Sequence, residues 1–389
     1  MKSSICILTE DYPSLGRPVF VFVQQLVEEL VDQGLDVSVI APQSLTRSVV
    51  RRIPLMPKCT EYKTKNSFSY NVYRPYSISF GNGHKILYKI SEGFNQHSIN
   101  NILNKLKPDI LYGHFWHTAH KLKEYAKVHN KPLFVACGEG DNALEHLVDS
   151  LTTKEKTEFS NVVSGVISVS SENKRKCIAY GLATEDNIVV LPNSVDTSIF
   201  VRNTNRDVRK ELGVLSDDFL IAFTGAFIHR KGSARLSAAI DKLNDPHIKV
   251  MFIGAALEGD DATPTCSGIV YMGRLEHEEI PQYLFAADCF CLPTLNEGCS
   301  NAIVEAIAAG LPVVSSNLPF NNDVLDECNS IVVDPMDIEQ IADAIKKLKD
   351  NSDLRKKLSE GALRKAVTLR IDKRAEAVKK FIESKNKEI

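Results

Sequence analysis

The sequence predicts an α/β protein of two open, parallel-sheet lobes facing a central cleft, and three observations carry that expectation. The chain has 389 residues, more than one hydrophobic core normally organises, so two domains are the default. Short apolar runs alternate with stretches of helical periodicity, the βαβ order of a parallel sheet. Near residue 200 that order breaks and then starts again, so the second half repeats the first.

The composition sets broad limits. Hydrophobic residues make up 43% and charged residues 25%, with a net charge of −2, an ordinary globular balance that asks for no nucleic acid. Nine cysteines are scattered without a CxxC pair. Cys289 and Cys291 share one face of a strand and read as small core residues rather than zinc ligands, which suits a reducing cytoplasm. The apolar run Ile5 to Leu8 meets Glu10 and Asp11 at once, and so reads as a first strand rather than a signal peptide. No apolar run approaches the roughly 20 residues of a membrane span. A cytoplasmic protein is expected, at most peripheral on the inner face of the membrane.

Residues 4–9 form the first strand, followed by a turn-rich loop with Pro13, Gly16 and Pro18. From Val19, apolar residues at Phe22, Val23, Leu26, Val27 and Leu30 recur at helical spacing until Gly34, and 36–42 is the next strand. The intervening loop is not GxGxxG, so a dinucleotide fingerprint is absent. Between Gln43 and Lys89 the basic residues Arg47, Arg51, Arg52, Lys58, Lys63, Lys65, Arg74, Lys85 and Lys89 face one acid, Glu61, and aromatics interleave. Two readings stay open there: a basic, aromatic surface for anionic headgroups or a phosphate-bearing acceptor, or a solvated hairpin or helical excursion. Residues 107–113 make a strand, and His114, His117 and His120 follow at intervals of three without a Cys or carboxylate to complete a metal set. A strand-end loop lining the cleft is expected there instead. The strand 131–136 ends in Cys137-Gly138-Glu139-Gly140-Asp141, which sets Glu139 and Asp141 at the crevice mouth. Strands at 162–169 and 188–191 close the first lobe, with a boundary expected at 199–205.

The second half restarts with a helix at 206–212 and a strand at 219–224, then the turn Gly225 to Gly232 and a helix at 233–243. Strands at 249–254 and 268–273 precede a helix at 278–287. The strand 288–292 then breaks on Pro293, crosses a polar loop to Asn301 and enters a small-residue helix, 302–309, closed by Gly310 and Pro312. Strand, loop and helix N-terminus together present backbone N–H groups to an anionic or polyhydroxylic ligand. Glu297 and Glu305 bracket that junction. Strands at 312–316 and 330–333 and helices at 337–351, 352–369 and 372–387 complete two Rossmann-like lobes.

Four pieces, in order, carry a resemblance to the family-4 retaining glycosyltransferases of the two-lobed GT-B fold, covering nearly the whole length. They are Pro192-Asn193-Ser194-Val195-Asp196 with Phe200; Gly225 to Arg230-Lys231-Gly232; Gly273-Arg274-Leu275 ahead of Ala286-Ala287-Asp288; and Glu297-Gly298 with Glu305-Ala306 and Gly310-Leu311-Pro312. The resemblance implies an acceptor-side lobe, 1–199, a nucleotide-sugar lobe, 200–371, and a last helix, 372–389, packing back on the first lobe. It implies transfer, with retention, of a hexosyl group from a UDP- or GDP-sugar to a glycan or lipid-linked acceptor in cell-surface polysaccharide synthesis. Arg230 and Lys231 would neutralise the leaving diphosphate in place of a metal, so no cofactor is expected. Glu297 would hold the sugar and act with them in catalysis. Glu305 would accept the ribose hydroxyls. Gly16 and Gly225, with Gly298, Cys299, Ser300 and Asn301, would complete the donor site. The chain departs from the family pattern in three places. Ala226 follows the glycine of the phosphate turn. Gly138-Glu139-Gly140-Asp141 replaces a His-Gly-x-Asp, leaving Glu139, Asp141, His114 or His117 as acceptor-side candidates. Gly16 stands alone where a glycine pair is usual, with Arg17 beside it as another diphosphate contact. A non-catalytic sugar-nucleotide-binding or scaffold subunit and a sugar-nucleotide epimerase are the alternatives.

Overall fold

Ser-Ile-Cys-Ile-Leu at residues 4–8 is apolar on both strand faces, and Ile5, Cys6, Ile7 and Leu8 are all buried, as a strand between two helical layers must be. The computed structural model describes residues 3–14, 17, 19–80, 85–140, 143–203 and 205–386, with only the backbone at 85. The chain divides into two units: residues 1–169, 173–191 and 375–389 form the first, and 170–172 with 192–374 the second.

In the first unit β1 (Ser4–Leu8), α1 (Val21–Asp32) and β2 (Asp36–Ile40) are followed by β3 (Gln43–Ser44), α2 (Leu45–Arg51), β4 (Cys59–Lys63), β5 (Ser69–Tyr73) and β6 (Tyr76–Ser77). Then come α3 (Lys85–Leu106), β7 (Ile110–His114), α4 (Trp116–His129), β8 (Leu133–Cys137), α5 (Ala143–Ser150), α6 (Thr153–Val162), β9 (Val163–Ser168), α7 (Ser171–Ala179) and β10 (Ile188–Val190). The main sheet runs β10-β9-β8-β7-β1-β2-β5-β4, parallel except for β4. Its strand order reverses between β1 and β7, the position at which open α/β sheets bind ligands. One core cluster packs Trp116, Leu122, Phe159 and Cys177 against Leu111, Leu133 and Val135.

Two readings of this half are corrected. Within residues 43–89 the hairpin reading holds for β4 and β5, which pair antiparallel across a short turn, but that hairpin is not a free excursion, because β5 joins the sheet beside β2 and β4 closes its edge. Of the segment's described basic residues Arg74 alone is buried, and Tyr70 is the buried aromatic. Arg74 is buried, donating to the Tyr62 hydroxyl at 2.8 Å, and Tyr62 and Tyr70 pack on Tyr12 and on each other. The histidine segment is not a loop, since His114 ends β7 and His117 and His120 lie on α4, with Phe115 alone making the turn at φ 84°.

The second unit opens with α8 (Val208–Glu211) and continues through β11 (Phe219–Thr224), α9 (Ser233–Leu243), β12 (Ile248–Ile253), β13 (Ile269–Gly273), α10 (Ile280–Ala286) and β14 (Cys289–Leu292). It closes with α11 (Asn301–Ala308), β15 (Val313–Ser316), β16 (Ser330–Val333), α12 (Ile338–Asp350) and α13 (Ser352–Ala366). Its sheet, β13-β12-β11-β14-β15-β16, is parallel throughout and reverses between β11 and β14. The passage between units falls at Leu191–Pro192, upstream of the composition shift at 199–205. The cause is local: the Val195 N–H donates to the Leu369 carbonyl at 2.9 Å, which ties that segment to the second unit. The last helix, α14 (Ile371–Asn386), ends in the first unit, where Phe381 packs edge-on against Phe134 and Lys379 Nζ donates to the Gln33 carbonyl at 2.9 Å. Among the described residues no helix is long and apolar enough to cross a membrane.

Candidate active site

The reversal point of the second sheet is built by two loops, one leaving β11 and one leaving β14. Gly232 ends the first with φ 82°, and a Cβ there would sit 2.4 Å from the Pro293 carbonyl oxygen of the second, so only glycine lets the loops meet. Arg235, one turn into α9 and buried, knots them. Its guanidinium donates to the His229 carbonyl at 2.8 Å and to the Pro293 carbonyl at 2.7 Å, and burial pushes its pKa down from the ordinary arginine value. The Leu295 N–H donates to the Arg230 carbonyl at 2.9 Å, completing the junction. No sequence motif marked Arg235, since it reads as an ordinary charged helix residue.

That junction brings the three predicted catalytic side chains together. Glu297 Oε1 accepts from Lys231 Nζ, lies 3.1 Å from an Arg230 guanidinium nitrogen and accepts from the Thr294 hydroxyl at 3.0 Å. Arg230 also donates to the Asn296 carbonyl at 2.6 Å. Two cations against one carboxylate leave the cluster with a net positive charge, in a place where the Glu297 side chain is only 11% exposed. Gly225 precedes the two cations in the same loop, and its N–H donates to the Ile253 carbonyl at 2.9 Å.

The amino end of α11 borders this cluster through the 293–300 loop. Gly298, Cys299 and Ser300 are buried, and Ser300 caps the helix without a side-chain hydrogen bond, so the first-turn N–H groups keep their donor capacity. The hydroxyls of Ser300, Thr224 and Ser194 are buried without a hydrogen-bond partner. Burial pushes the Cys299 thiol up to about 11, which keeps it a neutral wall. Asn193 braces the helix start, its amide donating to the Cys299 carbonyl at 2.9 Å and to Asn301 Oδ1 at 2.8 Å. Glu305 lies one turn further on, with His277 Nε2 3.2 Å from its Oε1, and that carboxylate raises the His277 pKa above its usual value. His277 was not singled out from sequence, since a histidine in the run Glu276-His277-Glu278-Glu279 carries no signal of a partner on another helix.

In the first unit the acceptor-side candidates separate. Gly16 and Asp141 lie outside the described residues. Glu139 is turned to the amino end of α4, where its Oε1 accepts the Trp116 N–H at 2.5 Å, and desolvation raises its pKa. His117 Nε2 pairs with Glu10 Oε1 at 2.7 Å across the reversal point of this sheet, and that hydrogen bond lowers the Glu10 pKa. His114 is buried at 6% exposure between Phe22 and Phe115. Arg17 is held by Asp11 at 2.5 Å. A cavity of about 420 Å³ opens beside β1, lined among others by Glu10, Arg17, Arg47, Glu92 and Lys121, whereas His114, His117 and Glu139 do not line it.

Comparison with known proteins agrees with both halves. The family described as Glycosyl transferases group 1 matches residues 204–365, and that described as Glycosyltransferase Family 4 matches residues 19–199. TuaC of Bacillus subtilis, named for teichuronic acid biosynthesis, is 26% identical over 358 residues, 87% of each chain. CapM of Staphylococcus aureus, a capsular polysaccharide biosynthesis glycosyltransferase, is 28% identical over 204 residues, 49% of this chain and 53% of its own. Among solved structures, sucrose-phosphate synthase from Thermosynechococcus elongatus superposes with a TM-score of 0.78 at 14% identity, covering 98% of this chain and 99% of that one. Anabaena HepE in complex with UDP and glucose superposes at 0.73 and 16% identity, covering 98% and 100%. With two Rossmann-like parallel sheets and both family halves in order, the chain belongs to the family-4, group 1 glycosyltransferases of the GT-B fold.

Proposed function

We propose that this glycosyltransferase moves a hexosyl group from a UDP- or GDP-sugar to a glycan or lipid-linked acceptor in cell-surface polysaccharide synthesis, in the cytoplasm and with retention of configuration. The observation that carries the reading is the junction of Arg230, Lys231 and Glu297 with the amino end of α11 at the reversal point of one parallel sheet. Breaking the anomeric carbon–oxygen bond leaves charge on the diphosphate. In this reading Arg230 and Lys231 neutralise it, aided by first-turn N–H groups of α11 and the hydroxyls of Thr224 and Ser300. Once the cations turn to the diphosphate, Glu297 is released to accept hydrogen bonds from the sugar. Glu305 accepts the ribose hydroxyls, with His277 fixing its rotamer. The acceptor oxygen attacks the face the diphosphate leaves, forming the new glycosidic bond as its proton passes to the departing phosphate oxygen. The cations supply what a metal would supply elsewhere, so turnover is expected to persist in EDTA.

The direct test is a thermal-shift and hydrolysis screen against UDP-, GDP-, ADP- and CMP-sugars without metal. One donor that stabilises the protein and slowly releases its nucleotide supports the reading and names base and sugar. Stabilisation by none of them removes it. A donor-binding, non-catalytic subunit is the second reading, favoured by the engagement of Glu139 with the Trp116 N–H of α4 where the family places a histidine. Binding without release, even with a panel of lipid-diphosphate glycans, would select it.

A further inference from the structure

A contact between two asparagine side chains sets the chemistry of the α11 start. Asn193 and Asn301 lie 108 residues apart, both in the second unit and both half-buried. The Asn193 side-chain nitrogen donates to the Cys299 carbonyl at 2.9 Å and to Asn301 Oδ1 at 2.8 Å. A backbone carbonyl can only accept, so the Asn193 amide has one allowed orientation, with its NH2 toward α11. That nitrogen has two hydrogens. One goes to Cys299 and the other to Asn301, whose near atom must therefore be its oxygen. The Asn301 NH2 is turned away from Asn193, and among the described residues it meets no acceptor.

The neighbouring groups at this helix start are donors too. The first-turn N–H groups of α11 have no side-chain cap. The Ser300 hydroxyl is buried without a hydrogen-bond partner, in a residue only 3% exposed. In the loop that leads to the helix, Glu297 is held by Lys231 and Arg230, and the three together carry a net positive charge. A set of donors with surplus positive charge serves a ligand rich in anionic oxygens. The two ends of an amide are nearly the same size, so packing alone does not stop Asn301 from turning its carbonyl into this set. The Asn193 nitrogen does.

We infer that Asn193 is a positioning residue for the donor. Through Asn301 Oδ1 it holds the Asn301 amide with its NH2 toward the diphosphate, and that NH2 donates to a phosphate oxygen. Asn301 touches the ligand, and Asn193 acts through Asn301 alone. The inference deepens the diphosphate-sugar reading of this junction and rests on it for the ligand. The orientation of the two amides follows from the Cys299 carbonyl and needs no ligand.

Two variants separate this role from a purely structural brace. Asn301→Asp keeps an oxygen for Asn193 to donate to, and a carboxylate in the first turn suits the positive end of the helix, so the melting temperature should hold or rise. Its other oxygen replaces the NH2, so affinity for a nucleoside diphosphate should fall by about tenfold or more. In Asn193→Asp the Asn301 amide turns over to donate to the new carboxylate, which puts its carbonyl toward the ligand, and diphosphate affinity should fall by about as much. Isothermal titration of the full chain with UDP and GDP, and with uridine and guanosine, reads both variants. Nucleoside affinity should stay within about threefold, because the amide meets the phosphates alone. An unchanged ratio of diphosphate to nucleoside affinity in both variants overturns the inference and leaves the donor reading standing. Equal losses for nucleoside and diphosphate overturn it as well, since a displaced helix would cause them. A loss in Asn301→Asp without one in Asn193→Asp removes the role of Asn193. Wild type that binds neither UDP nor GDP overturns the donor reading and this inference with it.

Discussion

Glu297 is shared by two cations, and that sharing predicts how its removal differs from theirs. Lys231→Ala removes a charge-assisted contact to the leaving group, so donor affinity should fall by about 10-fold or more and turnover by about 10²–10³-fold. Glu297→Gln frees both cations from their counter-charge. Binding of the nucleoside diphosphate alone should then hold or tighten while sugar transfer drops by about 10²-fold. Isothermal titration with diphosphate and with diphosphate-sugar separates the two variants, and a parallel loss of diphosphate binding in Glu297→Gln would sink this account. His277 gives a pH signature. Its folded pKa lies above the usual 6.5 through its bond to Glu305, so the pair's stabilisation is complete below 6.5 and is lost as pH rises through the raised value. The melting-temperature gap between wild type and His277→Gln should therefore be largest near about pH 6 and close by about pH 9. A gap that grows with pH would contradict the sign.

The loops and helices show why some elements were legible in sequence and others were not. Strands β11 and β14 are buried on both faces and read as apolar runs, and β12 does so after Lys249, so the second unit's frame and the turn Gly225 to Gly232 could be placed from residues alone. Helix α3 could not, because its first turns are apolar yet exposed and show no core-facing period. Strand β4 is an edge strand with no buried residue, and its polar alternation hides it. Helix α4 was masked by three histidines, although Trp116, Ala119, Leu122 and Ala126 do mark a buried face. The motifs located Arg230, Lys231, Glu297 and Glu305, but the ties made by Arg235 and Asn193 depend on loops distant in sequence. Two predictions belong at this scale. Gly232→Ala should cost about 2–4 kcal/mol, or prevent folding of the second unit, since its Cβ has no room beside Pro293. A full-strength melt would refute that. Glu139→Ala should lower stability by about 1–2 kcal/mol through the lost cap on α4, measured by urea unfolding.

At the scale of the whole molecule, the return of α14 to the first unit is the main structural fact. Gly165 is where it fits: a Cβ there would lie 2.8 Å from Phe381 and 2.9 Å from Phe134. Deleting residues from 375 onward should therefore lower the melting transition of the first unit while leaving nucleotide-sugar binding by the second within about threefold. Loss of donor binding in that truncation would show that the second unit does not stand alone. The same return has a consequence for how the protein is made. On the ribosome most of the first unit is synthesised before the second begins, yet its closing piece is made only after the second. At about 5–20 residues per second, translation of 192–374 takes roughly ten to forty seconds. Through that interval the groove at Phe134 and Gly165 stands open on a nascent chain, and the second unit is completed first. Until α14 is made, that groove has no cover from its own helix.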